Sequence, residues 1–147
     1  MQVPDAIEPA VGYRVWQVKD NRLHSFNHAA IWAPYEPLVA VCTRTAHTDP
    51  PEPTCTCGSY AAATFERLLE MGYTKHGGLF SGKPDDILIA GQVNLWGRII
   101  PGQHGWRAQF AYPRKLLIPY YHWKIAKAIS AEYGVPYSLF NTTRSHK

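Results

Sequence analysis

The stretch ILIAGQVNLWGRII at residues 87–100 carries the longest sheet signal in the sequence, and WRAQFAY follows it at residues 106–112. Both stretches are rich in branched and aromatic residues, which favour extended backbone. The segment PGQHG between them supplies the glycine and proline that turns require. The sequence therefore predicts a β-hairpin over residues 87–112, and residues 115–118 predict a further short strand.

Two more extended segments precede this hairpin. Residues 12–18 (GYRVWQV) alternate apolar and polar side chains, as a half-buried strand does. Asp20-Asn21 offers turn chemistry before residues 23–26, which predicts a short hairpin. The apolar run at residues 38–42 predicts a buried strand that ends on the first cysteine of the chain.

Two helices are predicted from their caps and apolar spacing. Ser59 can cap the first, and Gly72 stands where a left-handed C-terminal cap belongs. The second follows Pro119, covers residues 120–133 and ends before Gly134. The apolar residues that define the two inward faces are Ala62, Phe65, Leu68 and Leu69, and then Ile125, Ala126, Ile129 and Tyr133. A last extended segment is expected at residues 135–140.

The chain as a whole reads as one α+β domain. It has 147 residues, of which 46% are hydrophobic and 18% charged, an ordinary globular composition. We expect a curved, mainly antiparallel sheet with two helices and a zinc-binding loop, a loose arm at residues 1–11 and a frayed tail at residues 141–147. No apolar run approaches the roughly 20 residues of a membrane span, so a cytoplasmic protein is expected.

A cluster of metal-ligand residue types lies in the proline-rich segment before the first predicted helix. Cys42, His47, Cys55 and Cys57 supply three thiols and one imidazole from a single loop. Zinc prefers four such ligands in a tetrahedron, and the cytoplasm keeps thiols reduced, which disfavours a disulfide framework. The spacing therefore predicts one structural zinc site. The alternative is a buried Cys42, a surface His47 and two free thiols.

A catalytic zinc is the second alternative for these residues. The fragment His47-x-Asp49, followed by Cys55-x-Cys57, partly matches the H-x-E and P-C-x2-C signature of zinc deaminases. It departs from that signature in the aspartate, in the cysteine spacing and in the closeness of the histidine to the cysteines. Cys42 also offers a fourth ligand that would close the site to water.

Aromatic and basic residues cluster around the predicted hairpin and at the start of the second helix. Aromatic rings that stack on bases, next to arginines that neutralise phosphate, are what single-strand binding requires. The alternatives are ordinary sheet packing with cation–π contacts, or a protein interface, where Trp, Tyr and Arg dominate. The candidate partner-binding residues are Trp96, Arg98, Trp106, Arg107 and Trp123.

Several of these patterns together resemble one group of proteins. The pattern W-x-P-x-E-P-x-x-A-x-C at residues 32–42 is followed by C-x-C-G-x-Y-A at residues 55–61, G-x-V-x-L-W-G-R-I-I at residues 91–100 and G-W-R-A at residues 105–108. This series resembles small uncharacterised proteins of actinobacteria and their phages. The resemblance implies that the cysteine loop and the G-W-R-A hairpin form one module.

These observations favour a binding protein over an enzyme. The sequence contains no Walker loop, no G-x-G-x-x-G and no G-x-S-x-G motif. The net charge of +4 is a mild excess that favours anionic partners without identifying one. The leading hypothesis is a small zinc-stapled binding module, phage-encoded, that acts on a host protein. A nucleic-acid-binding accessory protein is the alternative, and a small zinc-dependent enzyme is the third.

Overall fold

The computed structural model describes residues 9–25, 30–41, 50–51, 58–71 and 87–141. Within them, one sheet of eight strands carries two α-helices. The strands are β1 (Ala10–Lys19), β2 (Arg22–Ser25), β3 (Ile31–Trp32), β4 (Leu38–Val39), β5 (Ser59–Ala62), β6 (Leu88–Pro101), β7 (Gly105–Pro119) and β8 (Tyr137–Phe140). The helices are α1 (Phe65–Glu70) and α2 (Trp123–Tyr133), and a 3-10 turn over Tyr120–His122 leads into α2.

The predicted fold class is confirmed at the level of a mixed α+β protein with a mostly antiparallel sheet. Of the strand pairings in the described part of the chain, the β7–β8 pairing alone is parallel. None of the helices among the described residues combines the length and the apolar character needed to cross a lipid bilayer.

The hairpin of β6 and β7 forms the centre of the sheet, as the longest sheet signal predicted. Its pairing extends from Ala90 opposite Leu117 to Pro101 opposite Trp106. The predicted short strand at residues 115–118 is therefore the end of β7 itself. Two register shifts interrupt the pairing, and the second contains Gly97 at a φ of +77°. Such bulges bend long strands, so this hairpin curves.

The hairpin of β1 and β2 is also confirmed. Asp20 and Asn21 have φ values of 52° and 57°, the two left-handed residues that a tight two-residue turn needs. The predicted N-terminal arm is too long at its inner end, because Ala10 and Val11 pair with β6 as part of β1.

The predicted start of the first helix is wrong. Ser59 begins strand β5, which pairs with β7, and α1 starts after Thr64, whose side-chain oxygen accepts the Arg67 N–H at 3.1 Å. Serine and alanine have no strong strand preference of their own, so the long-range pairing determines the structure here. The expected C-terminal cap Gly72 lies outside the described residues.

Strands β4 and β5 lie end to end along the same edge of β7. β4 pairs with residues 110–111 of β7, and β5 pairs with residues 105–108. Between them, Ala40 donates its N–H to the carbonyl oxygen of Gln109 at 2.9 Å. The intervening segment therefore leaves and rejoins the sheet at neighbouring positions. A strand is confirmed within residues 38–42 only over β4, since Ala40 and Val41 are not in strand conformation and Cys42 lies outside the described residues. The predicted burial is wrong, because Val39 is 53% exposed and Val41 is 71% exposed.

Four strands form a closed circuit. β1 pairs with β6, β6 with β7, β7 with β5, and β5 returns to β1 through Tyr13 opposite Ala62.

The two helices cover opposite faces of this circuit. Leu68 of α1 packs with Val15, whereas Ile129 of α2 belongs to the larger core around Trp16. α2 ends as predicted, with Gly134 at a φ of +65°.

Candidate anion-binding site

A pocket of about 320 Å³ lies where β1, β5, α1 and the β6–β7 turn meet. We call it the basic pocket. The polar and aromatic residues that line it are Tyr13, Arg14, Tyr60, Arg67, Gln103, His104, Trp106 and Arg107. Of the described lining residues, none is acidic. Its volume is at the lower end of the range of small-molecule sites in proteins, about 300 to 1,000 Å³.

The strand register places Arg107 next to Tyr60. These residues lie directly opposite each other on β7 and β5, so their side chains are on the same face of the sheet. The Tyr60 side chain is 47% exposed and Arg107 is half-buried. The exposed Tyr60 and the half-buried Arg107 therefore project from neighbouring positions on one face of the sheet.

Arg14 reaches the pocket from β1. Its Nη1 donates a hydrogen bond to the carbonyl oxygen of Tyr60 at 2.7 Å, and its guanidinium carbon lies 5.0 Å from the centre of the Trp32 ring. Trp32 is buried in the core, so this cation–π contact fixes the arginine against a rigid surface. β1 and β5 are paired at Tyr13 opposite Ala62, and a gap opens between the two strands beyond that position. The Arg14 side chain spans this gap.

Arg67 of α1 forms part of the helical wall. Its Nη1 lies 3.2 Å from the Oε1 carboxylate oxygen of Glu70, and its side chain is 34% exposed. Its Nε is buried and has no hydrogen-bond partner among the described residues. A charged donor without a partner is unfavourable, so an acceptor that reached this nitrogen would be bound well.

The turn between β6 and β7 forms the remaining wall and is pressed against β5. Gly105 lies so close to Ala61 that a Cβ at this position would collide with the Ala61 carbonyl oxygen. The Ala63 N–H also donates to the His104 carbonyl oxygen at 2.8 Å. Trp106, the next residue, lies opposite Ala61 and is half-buried at the pocket. The turn is therefore held in place by backbone contacts.

The chemistry of the basic pocket suits an anion that carries a planar group. Guanidinium groups match phosphate and carboxylate oxygens with paired hydrogen bonds. Tyr60 supplies an exposed ring on which a planar group can stack, whereas Trp106 is half-buried and packs against the core.

The five predicted partner-binding residues are not brought together. Trp106 and Arg107 line the basic pocket. Arg98 is exposed on the Gly97 bulge of the same hairpin, and Trp123 is 54% exposed at the start of α2. Trp96 is only 5% exposed and stacks on Phe110 at a ring distance of 5.8 Å. Trp96 is therefore a core residue and contributes no exposed ring for a partner to contact.

The predicted zinc ligands Cys42, His47, Cys55 and Cys57 all lie outside the described residues. Among the residues that are described, no group of three or more His, Cys, Asp or Glu side chains is arranged to hold a metal ion. Pro50 and Pro51, the two described residues of the same segment, are buried.

Six of the polar and aromatic residues that line the basic pocket were not predicted from the sequence: Tyr13, Arg14, Tyr60, Arg67, Gln103 and His104. Each is separated in sequence from the Trp106-Arg107 pair or lies in its turn, and none belongs to a recognisable motif. The pairing of β5 with β7 brings Tyr60 next to Arg107. The incorrect prediction of a helix start at Ser59 excluded this pairing.

No protein-family model, no curated protein and no solved structure matches this chain. The resemblance to actinobacterial and phage proteins therefore stays a prediction.

Proposed function

We propose that this protein is a non-enzymatic binding module that recognises single-stranded nucleic acid through the basic pocket. One observation carries the proposal: Arg14, Arg67 and Arg107 line one pocket together with Tyr60 and Trp106. Arginine supplies charge-assisted hydrogen bonds to phosphate, and the exposed Tyr60 ring supplies a surface for stacking. An unpaired base can use this surface, whereas the faces of the bases in a duplex are hidden.

A binding experiment with a labelled single-stranded oligonucleotide tests this function. At low salt, Arg107→Ala should weaken binding about tenfold, the effect of losing one charge-assisted contact. The affinity of the unmodified protein should fall steeply as salt is raised, because bound phosphates release their counterions.

Arg114→Ala provides a charge-matched control. Arg114 is exposed, bonds to Asn94 at 3.1 Å and does not line the basic pocket. This variant removes the same formal charge and should bind within about twofold of the unmodified protein, since general attraction changes little with one distant charge. Equal losses of affinity in both variants would show that the oligonucleotide is attracted by the overall positive charge. That result would contradict binding at the basic pocket.

A protein partner is the second candidate, and the exposed aromatic residues before α2 favour it. Tyr120 is 60% exposed and Trp123 is 54% exposed, with the Lys124 ammonium 5.8 Å from the centre of the Trp123 ring. Large exposed aromatic side chains are typical of interface hot spots. In this proposal the protein is phage-encoded, is located in the cytoplasm and acts on a host protein.

Affinity capture from host extract with three baits distinguishes the two candidates. A partner that binds the unmodified protein and Arg107→Ala, but not Trp123→Ala, would support the protein interface. A partner lost from Arg107→Ala and released by nuclease would support the nucleic-acid function.

We also propose that the segment between Val41 and Gly58 holds a structural zinc ion through Cys42, His47, Cys55 and Cys57. The ends of the segment support this proposal, because Ala40 and Ser59 lie next to each other along β7. Each residue spans at most about 3.6 Å, so the first and the last cysteine, each two residues from Ala40 or Ser59, must lie close to that position on β7.

Metal analysis tests the zinc proposal. The purified protein should contain about one zinc ion per chain, and Cys57→Ser should lose the metal and melt at a markedly lower temperature. His104→Ala is the matched control for a histidine outside the segment and should retain the metal. A fully folded, metal-free protein would contradict the proposal.

A further inference from the structure

The size and the walls of the basic pocket restrict which part of a nucleic acid can enter it. Single-strand binding folds that follow the backbone cover about 4 to 16 nucleotides in an open groove. Here β1, β5, α1 and the β6–β7 turn surround only about 320 Å³. This space suits one nucleotide and is too small for a continuous run of several.

The arginines favour a particular kind of phosphate. A phosphate monoester carries a charge of about −1.5 to −2 at neutral pH and offers three strong acceptor oxygens. An interior phosphodiester carries one charge and offers fewer free oxygens. Arg14, Arg67 and Arg107 approach the pocket from three different elements, β1, α1 and β7. Arginines from three separate elements suit a terminal group whose oxygens are open in several directions.

Arg67 provides a second, independent observation. Its Nε is buried without a hydrogen-bond partner among the described residues, whereas its Nη1 is held by Glu70 at 3.2 Å. A rotation of this partly exposed side chain would present the Nε donor to a phosphate oxygen in the pocket. Within the described part of the chain, this arrangement leaves one strong donor without an acceptor.

We infer that the basic pocket binds a nucleotide that carries a phosphate monoester, as found at a phosphorylated strand end, with the base stacked on Tyr60. This inference depends on the proposed nucleic-acid function and specifies its ligand. The phosphate lies against Arg67 and Arg107, and Tyr60 is the aromatic residue with the larger exposed surface in the pocket.

Fluorescence anisotropy with three forms of one oligonucleotide tests the inference. The forms are a linear strand with a terminal phosphate, the same strand with hydroxyl ends, and the covalently closed circle. The phosphorylated strand should bind at least about tenfold more tightly than the circle. Arg67→Ala should remove this preference, and Arg114→Ala should keep it.

Tyr60 variants test the stacking. Tyr60→Ala should lose about tenfold in affinity because the ring is removed, and Tyr60→Phe should recover most of that loss because it keeps the ring. A nucleoside monophosphate should displace the labelled strand at concentrations where inorganic phosphate does not. Equal displacement by inorganic phosphate would overturn the nucleotide part of the inference.

The outcomes separate the two levels of the proposal. If the circle binds as tightly as the phosphorylated strand, end recognition is wrong while the nucleic-acid function stands. If none of the forms binds at low salt, but the nucleoside monophosphate still binds in a direct titration, the pocket is a mononucleotide site and the strand function is wrong. Absence of all binding would overturn both.

Discussion

The hydroxyl group of Tyr133 donates a hydrogen bond to the carbonyl oxygen of Trp32 at 2.5 Å, so the end of α2 is tied to the β3 edge of the sheet. The same hydroxyl oxygen accepts the Leu23 N–H at 2.8 Å, and the side chain is fully buried. Tyr112 extends this network by donating from its hydroxyl group to the Tyr133 carbonyl oxygen at 2.9 Å. Helix α2 is therefore anchored by polar contacts within the core.

Tyr133→Phe should lower the free energy of unfolding by about 2 kcal/mol. The substitution leaves one buried backbone donor and one buried acceptor without a partner. Urea unfolding followed by circular dichroism measures the change. Tyr137→Phe, at an exposed tyrosine of β8, is the matched control and should change stability by less than about 0.5 kcal/mol. Equal effects of the two substitutions would contradict the role of the network.

Stability should fall in alkaline solution, because burial raises the pKa of Tyr133 and of Tyr112 above their ordinary value of 10.0. The unfolded chain then loses these protons more readily than the folded chain does. The two tyrosines contribute their full stabilisation below pH 10, and this stabilisation is lost as the pH rises through their folded pKa values. Unfolding free energies measured across this range should fall less in Tyr133→Phe than in the unmodified protein.

Acid should destabilise the fold through His122. Burial lowers the pKa of this side chain below its ordinary value of 6.5, so the unfolded chain binds the proton more tightly. The neutral His122 side chain therefore stabilises the fold above pH 6.5. This stabilisation is lost as the pH falls through the folded pKa of His122. His122→Gln removes the titrating group, so its stability should decline less between neutral and mildly acidic pH. An unchanged decline would show that other groups determine it.

Gly105→Ala should reduce stability by at least about 2 kcal/mol and disrupt the basic pocket. A Cβ there would lie 2.9 Å from the Ala62 Cα and collide with the Ala61 carbonyl oxygen, so β5 and β7 would have to separate. Gly102→Ala is the control in the same turn, because its Cβ would meet the Gly105 carbonyl oxygen only at 3.6 Å. Thermal melting of both variants measures the difference.

Local signals predicted the parts of the fold that local chemistry determines. The Asp20-Asn21 turn, the β6–β7 hairpin and the end of α2 at Gly134 each follow from residues close in sequence. β5 was missed because Tyr60 is the one residue of its four that favours a strand, and pairing with β7 makes the segment extended. The closed circuit of strands depends on this same long-range pairing.

Only part of the basic pocket was predicted, again because local sequence patterns do not reveal long-range contacts. Trp106 and Arg107 are neighbours in sequence and were found, whereas Arg14 and Arg67 reach them only through the folded sheet. Side chains alternate along a strand, so Trp96 and its neighbour Leu95 would be expected on opposite faces. The strand bends at the Gly97 bulge, and both side chains belong to one core cluster. Strict alternation therefore fails next to a bulge.

The pairing of β1 with β6 has a consequence during protein synthesis. β1 and β2 leave the ribosome as a hairpin whose partner strand begins only at Leu88. Until that strand emerges, the hairpin edge that β6 will occupy is unpaired and open to other chains. A nascent chain paused before Leu88 therefore carries an aggregation-prone edge, and its yield depends on translation speed as well as on the stability of the finished sheet.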